Sequence, residues 1–200
     1  MSLIDQLQKG TYGGNAEIMA WSFYDSFTLK STKPSYALFQ VPVGAVDPST
    51  GVQKKLSKTN MTGNGGSMPQ AQNFEAHGIK FHLRSADPLN TSTYKKVLDV
   101  IANSTIRMKI QGKDNLLLLN CQEAMGIASL IELVPTVAGD NIYPISPRFT
   151  GLYRLNIPVT IAALTSFELE IVHHAAVDSS LDDLGVELMV SLEGQLVRGN

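Results

Sequence analysis

Hydrophobic and polar residues alternate with a period of two along most of this chain. Ile79, Phe81 and Leu83 alternate with Lys80, His82 and Arg84, and Ile106, Met108 and Ile110 alternate with Arg107, Lys109 and Gln111. Successive side chains of an extended chain point to opposite faces, so each stretch predicts a strand buried on one face. The same pattern joins Phe39, Val41 and Val43, then Leu155, Ile157, Val159 and Ile161, then Phe167, Leu169 and Ile171 against Glu168 and Glu170. FTLK, residues 27–30, reads as a further strand, and the apolar run LLLLNC, residues 116–121, as a strand buried on both faces. In the closing stretch VELMVSLEGQLVRGN, Val186, Leu188, Val190, Leu192 and Leu196 share one parity. They predict a core strand lying between earlier strands of one sheet. Its outward positions include Glu187, Met189, Ser191, Glu193 and Val197, and the apolar Met189 and Val197 are expected to be covered by a neighbouring subunit. Gly194 leaves the parity unbroken, which predicts a close approach of another backbone or bulky side chain rather than a bulge.

One segment has the helical period. In TSTYKKVLDVIANS, Tyr94, Val97, Leu98 and Ile101 fall at i, i+3, i+4 and i+7, with Thr91 or Ser92 available as N-cap. The stretch from Ile127 to Val134 fits either a helix or a strand. Many short strands with turn-rich connections and few helices favour two packed antiparallel sheets over a parallel sheet, which needs a helix between successive strands. The expected fold is an all-β antiparallel sandwich of jelly-roll type with one inserted amphipathic helix, residues 92–103. Residues 1–20 form an N-terminal arm and residues 21–200 a single domain. Leu3, Ile4 and Leu7 share one face of a short helix in the arm, which is expected to dock on a neighbouring subunit or lie at a membrane surface.

Composition removes several functions. Sixteen Lys and Arg against 18 Asp and Glu give a net charge of −2, which supplies no general attraction for nucleic acid. Cys121 is the only cysteine, so neither an intrachain disulfide nor a cysteine-based zinc site can form. No apolar stretch is long enough to span a bilayer, and no secretion signal opens the sequence. His77 and His82 point to opposite faces of a regular strand, as do His173 and His174, so neither pair chelates a metal. TGNGG, residues 62–66, lacks the Gly-Lys-Ser/Thr of a phosphate loop. Asp178, Asp182 and Asp183 would suit a calcium ion at an oligomer interface, but lack the spacing of an EF-hand loop. No nucleophile elbow or paired catalytic carboxylates are present, so no catalytic residue, cofactor or metal is assigned.

IPVTIAALTSFELEIVH, residues 157–173, followed by the closing stretch, resembles the final strands of jelly-roll capsid proteins from small tailless icosahedral bacteriophages. A Pro-containing strand leads into a Phe-bearing one, and Leu192, Gly194, Leu196 and Arg198 carry the Leu-x-Gly-x-Leu-x-Arg character of the last strand. FEAHGIKFHLR, residues 74–84, fits an early strand of the same roll. The resemblance implies a non-enzymatic structural subunit of a viral or phage capsid, assembled in the host cytoplasm into a virion. Its partners would be copies of itself, as a trimer or larger assembly, and other shell proteins. The chain is too short for two rolls. Its arm carries only Lys9 as a base against Asp5 and Glu17, so direct genome binding is not expected. The alternatives are a jelly-roll carbohydrate- or ligand-binding module, disfavoured by the single Trp21, and a cupin-type enzyme, which would need a metal triad.

Overall fold

The computed structural model describes residues 17–63, 65–84, 91–124 and 152–198. Eight strands run through them: β1 (Glu17–Thr28), β2 (Ser35–Leu38), β3 (Gln72–Arg84), β4 (Ser104–Ile110), β5 (Lys113–Asn120), β6 (Leu152–Ile161), β7 (Phe167–His173) and β8 (Glu187–Arg198). Helix α1 (Thr91–Ala102) lies between β3 and β4, and the single-turn α2 (Cys121–Ala124) follows β5. The strands form two four-stranded antiparallel sheets, ordered β1-β8-β3-β6 and β2-β7-β4-β5. Their inner faces meet through aromatic contacts: Phe27 of β1 stacks on Tyr36 of β2 with ring centroids 4.2 Å apart, and Phe23 of β1 lies 6.4 Å from Phe167 of β7. The molecule is an all-β antiparallel sandwich, as its alternation predicts.

The pairing is nested. The first strand pairs with the last, the second with the seventh, the third with the sixth and the fourth with the fifth. The chain thus resembles one long antiparallel ribbon, doubled back at the Gln111–Gly112 turn, whose successive strand pairs are dealt alternately to the two sheets. Strand β8 sits between β1 and β3, and Val186, Leu188, Val190, Leu192 and Leu196 are all buried. Gly194 keeps its parity, and a Cβ there would lie 1.9 Å from the Glu75 carbonyl oxygen. The register shift lies across from it, in β3, between Ala76 and Gly78.

Three strands differ from the sequence reading, two in their bounds and one in its burial. Strand β1 extends back from Thr28 to Glu17, inside the segment assigned to the arm, so any arm ends before Glu17. Its inward parity runs Met19, Trp21, Phe23, Asp25, Phe27, and the carboxylate in the middle hides the alternation. Strand β2 is Ser35–Leu38 rather than residues 39–43, because Phe39 takes φ +68° and turns the chain; its ring is buried, but Val43 is exposed. Strand β5 is not buried on both faces: it pairs only with β4 among the described strands, and Leu116 and Leu118 face outward.

Helix α1 begins at Thr91 and buries Tyr94, Val97, Val100 and Ile101, while Leu98 is half-buried. The buried stripe is therefore rotated from the expected one, with Val100 taking the inner place given to Leu98. Ile101→Ala is expected to destabilise the fold by about 2 to 5 kcal/mol, and Leu98→Ala by less. Denaturant midpoints check this; an unchanged midpoint for Ile101→Ala would mean that α1 does not contribute to the core.

Candidate interaction surface

Three of the four histidines, His77, His173 and His174, have partners within the chain. His77 lies at the β3 bulge, which defeats the alternation argument that separates it from His82. Phe74 and Ala76 face the core before the bulge, and Ile79 and Phe81 after it. The Nε2 atom of His77 is 3.1 Å from Glu75 Oε1. Among the described residues no three His, Cys, Asp or Glu side chains converge as a metal site. His174 Nε2 lies 2.8 Å from Thr105 Oγ1.

His173 is buried, with Nδ1 2.6 Å from Ser104 Oγ. Ser104 Oγ donates to the Val100 carbonyl, so His173 Nδ1–H donates to Ser104. The pair therefore does not form a nucleophile and base, because the serine proton points away from the imidazole. Burial, with a smaller contribution from His174, pushes His173 down to about 4 from an ordinary 6.5. The unfolded chain binds more protons in that interval, so this contribution to stability is full above pH 6.5 and is lost as pH falls towards 4. A loss of about 2 kcal/mol is expected once solvent screening is allowed for. Denaturation midpoints of wild type and His173→Gln from pH 7 to pH 4 test this: the variant's slope should be flatter, and parallel slopes would refute it.

Two of the three carboxylates of the acidic cluster, Asp178 and Asp182, are engaged by the chain itself. Asp178 Oδ1 accepts from Ser180 N at 2.8 Å, capping a 3₁₀ turn (Ser179–Leu181), and Oδ2 lies 2.9 Å from Lys96 Nζ of α1. Hydrogen bonds from the Ser180 hydroxyl, Lys96 and Ser180 N, in that order, hold the Asp178 carboxyl well below the usual carboxylate range. Asp182 accepts from Ser31 N and Ser31 Oγ, each at 2.6 Å. The glycine loop is wedged in place: a Cβ at Gly65 would lie 1.9 Å from Gln40 O, and Gly66 N donates to Phe39 O at 2.7 Å. Cys121 is buried, which pushes its thiol up to about 12. Trp21 is half-buried at the inner edge of β1, 5.8 Å from the Arg198 guanidinium and 6.3 Å from Phe23, so it offers no open platform to a sugar.

The outward face of β8 does not match its expected role. Met189 is 6% exposed and Val197 0%, so both are covered within the chain and neither is available to a neighbour. The strap of residues 54–61, from the long β2–β3 connection, is bonded to the same sheet. Asn60 binds along the free edge of β1: Tyr24 N donates to Asn60 Oδ1 at 2.8 Å, and Asn60 Nδ2 donates to Ser22 O at 2.7 Å. The strap then crosses the sheet, where Lys58 pairs with Glu187, Tyr24 Oη donates to Leu56 O at 2.7 Å and Arg84 donates to Ser57 O at 3.4 Å. Nothing in the local sequence marks this strap: Lys54, Lys55 and Lys58 stand in a polar stretch of the kind that is usually solvated surface. Leu3, Ile4 and Leu7 lie outside the described residues, as do residues 127–134.

The apolar surface lies instead at β5 and β6. Each is the outermost described strand of its sheet. Opposite His77 alone, β6 carries residues 155–158, so the edge swells outward and leaves Ile157 80% exposed. Leu118 of β5 is 60% exposed, and Leu116 is exposed beside it. Between the two strands runs a cleft of ≈ 560 Å³ lined by Ile110, Leu116, Leu117, Tyr153, Leu155 and Ile157. Pro158 denies this edge a backbone donor, which hinders addition of a further strand. The outer face of the β4–β7 pair is charged, with Arg107 3.1 Å from Glu170 and Lys109 3.0 Å from Glu170.

No protein-family model matches the chain, and a search of curated proteins finds no match. The physical character of the surface therefore carries the functional reading. It offers apolar contact at β5 and β6, ion-paired carboxylates on the outer sheet face, and three histidines, His77, His173 and His174, bound to their own neighbours. Among the described residues no helix is long and apolar enough to cross a membrane.

Proposed function

We propose that this chain is a jelly-roll structural subunit of a viral or phage shell, non-enzymatic and self-associating. The observation that carries the reading is the exposed apolar pair Leu116 and Ile157 in the wall of a cleft between two edge strands, with Leu118 exposed on the same strand as Leu116. Large exposed side chains gathered at one edge favour contact with another protein surface. The nested strand pairing supports the jelly-roll part of the proposal, since a rolled antiparallel ribbon is how such double sheets are wound. The resemblance of residues 157–200 to phage capsid strands supports the shell. Fold alone does not confer the role.

Light scattering after size exclusion, with electron microscopy of the same fractions, tests the proposal. Trimers or larger regular particles are expected. Ile157→Asp is expected to shift the population to monomer while leaving the thermal midpoint near that of wild type, because the side chain contributes little to the chain's own core. A wild-type monomer at high concentration would remove the shell reading. The same cleft, with Tyr153, Gln111 and Asn156 in its wall, favours a ligand-binding module as the second reading. A monomer that binds a glycan on an array would select it.

A further inference from the structure

Asp25 occupies an inward position of β1, between Phe23 and Phe27 and opposite Val190, and it is completely buried. Lys54 enters from the start of the strap and is itself 8% exposed, with Nζ 2.5 Å from Asp25 Oδ1. Both groups are held. Asp25 Oδ1 accepts from Ser26 N at 2.9 Å and Oδ2 from Phe39 N at 2.7 Å, while Lys54 Nζ also donates to Ser26 O at 3.2 Å. The left-handed turn at Phe39 delivers the second of those donors. A charged pair in a dry core carries a desolvation cost that a neutral amide would not.

We propose that Lys54 and Asp25 condense in the folded chain to an isopeptide bond between Lys54 Nζ and Asp25 Cγ. The ammonium first passes a proton to Oδ1, leaving an amine against a carboxylic acid. The nitrogen lone pair then attacks Cγ, and the carbonyl electrons move to Oδ2, where the Phe39 N–H donates. Collapse of this intermediate restores the carbonyl at Oδ2. It expels Oδ1 as water, carrying its own proton and a second from Nζ. One C–N bond forms, one C–O bond breaks and one water leaves, so no oxidant or further reactant is needed. Burial raises the Asp25 carboxyl above its usual range despite the opposing charge of Lys54, which favours the acid form the step requires. Fixed amine and acid react with effective molarities of about 10⁵ to 10⁸ M in well-oriented systems, and the closed core disfavours the return of water. The product would anchor the strap to β1 and close a covalent ring in a chain whose single cysteine permits no internal disulfide.

Intact mass spectrometry of the purified full chain, unfolded before injection, tests this without reference to assembly. The expected mass is one water below that of the sequence, with fragmentation locating a branched peptide that joins Lys54 to Asp25. Lys54→Arg keeps the charge but should return the full mass. The full sequence mass in the wild type would reduce the pair to a buried salt bridge and overturn the proposal. So would a deficit that persists in Lys54→Arg, or that fragmentation locates elsewhere.

Discussion

A chain truncated after Gly185 is expected to be insoluble, or to lack a cooperative unfolding transition. Strand β8 is hydrogen-bonded on both sides, to β1 from Glu17 to Thr28 and to β3 from Gln72 to Arg84. Its loss leaves two rows of backbone groups without partners in the middle of a sheet, where water does not substitute for them. It also removes Val186, Leu188, Val190, Leu192 and Leu196 from the core. Loss of any one large apolar side chain costs about 2 to 5 kcal/mol, and a whole domain holds only about 5 to 15. Circular dichroism and a thermal melt of the truncated chain decide the matter. A soluble product with a cooperative melt near that of the full chain would show that β8 is an exchangeable arm rather than the centre of its sheet.

The second large effect is expected from one added methyl group. In Gly194→Ala the new Cβ would meet Glu75 O at 1.9 Å and Phe74 Cζ at 3.0 Å. The first contact is with backbone of the neighbouring strand, so no rotamer change relieves it, and β8 and β3 must separate locally. A loss of about 3 kcal/mol or more is expected, at the upper end of what overpacking costs. Chemical denaturation measures it directly. A midpoint equal to wild type would mean that the two strands tolerate a wider spacing at Gly194.

The regular parts of the fold were legible because each carries a period: β4 and β7 alternate cleanly, β8 keeps its core residues on one parity, and α1 repeats at helical spacing. What the sequence concealed has physical causes. Asp25 at a core position disguises β1, and its partner Lys54 lies in a loop that reads as solvent-facing. Phe39 belongs to the core but not to a strand, since its positive φ ends β2 while its ring stays inside. Met189 obeys the alternation and still is not surface, since it is only 6% exposed within the chain. The apolar character of Leu116, Leu118 and Ile157 is plain in the sequence, but their exposure depends on which strands end up outermost, and that is a property of topology. Local pattern does not encode it.

The nested pairing has a kinetic consequence. The innermost pair, β4 with β5, is closed by two residues, whereas each pair outside it must bring together segments progressively farther apart along the chain, ending with β1 and β8. Loop-closure entropy is therefore lowest at the hairpin and highest at the outermost partners. Assembly should begin at β4–β5 and proceed outward, with β8 inserting between β1 and β3 as a late step. Such a high contact order places folding in the slow range of milliseconds to seconds or beyond. Throughout that interval the flanks of β1 and β3 stand open to other chains, so the yield of native protein will depend on concentration and on the speed with which that final gap is filled.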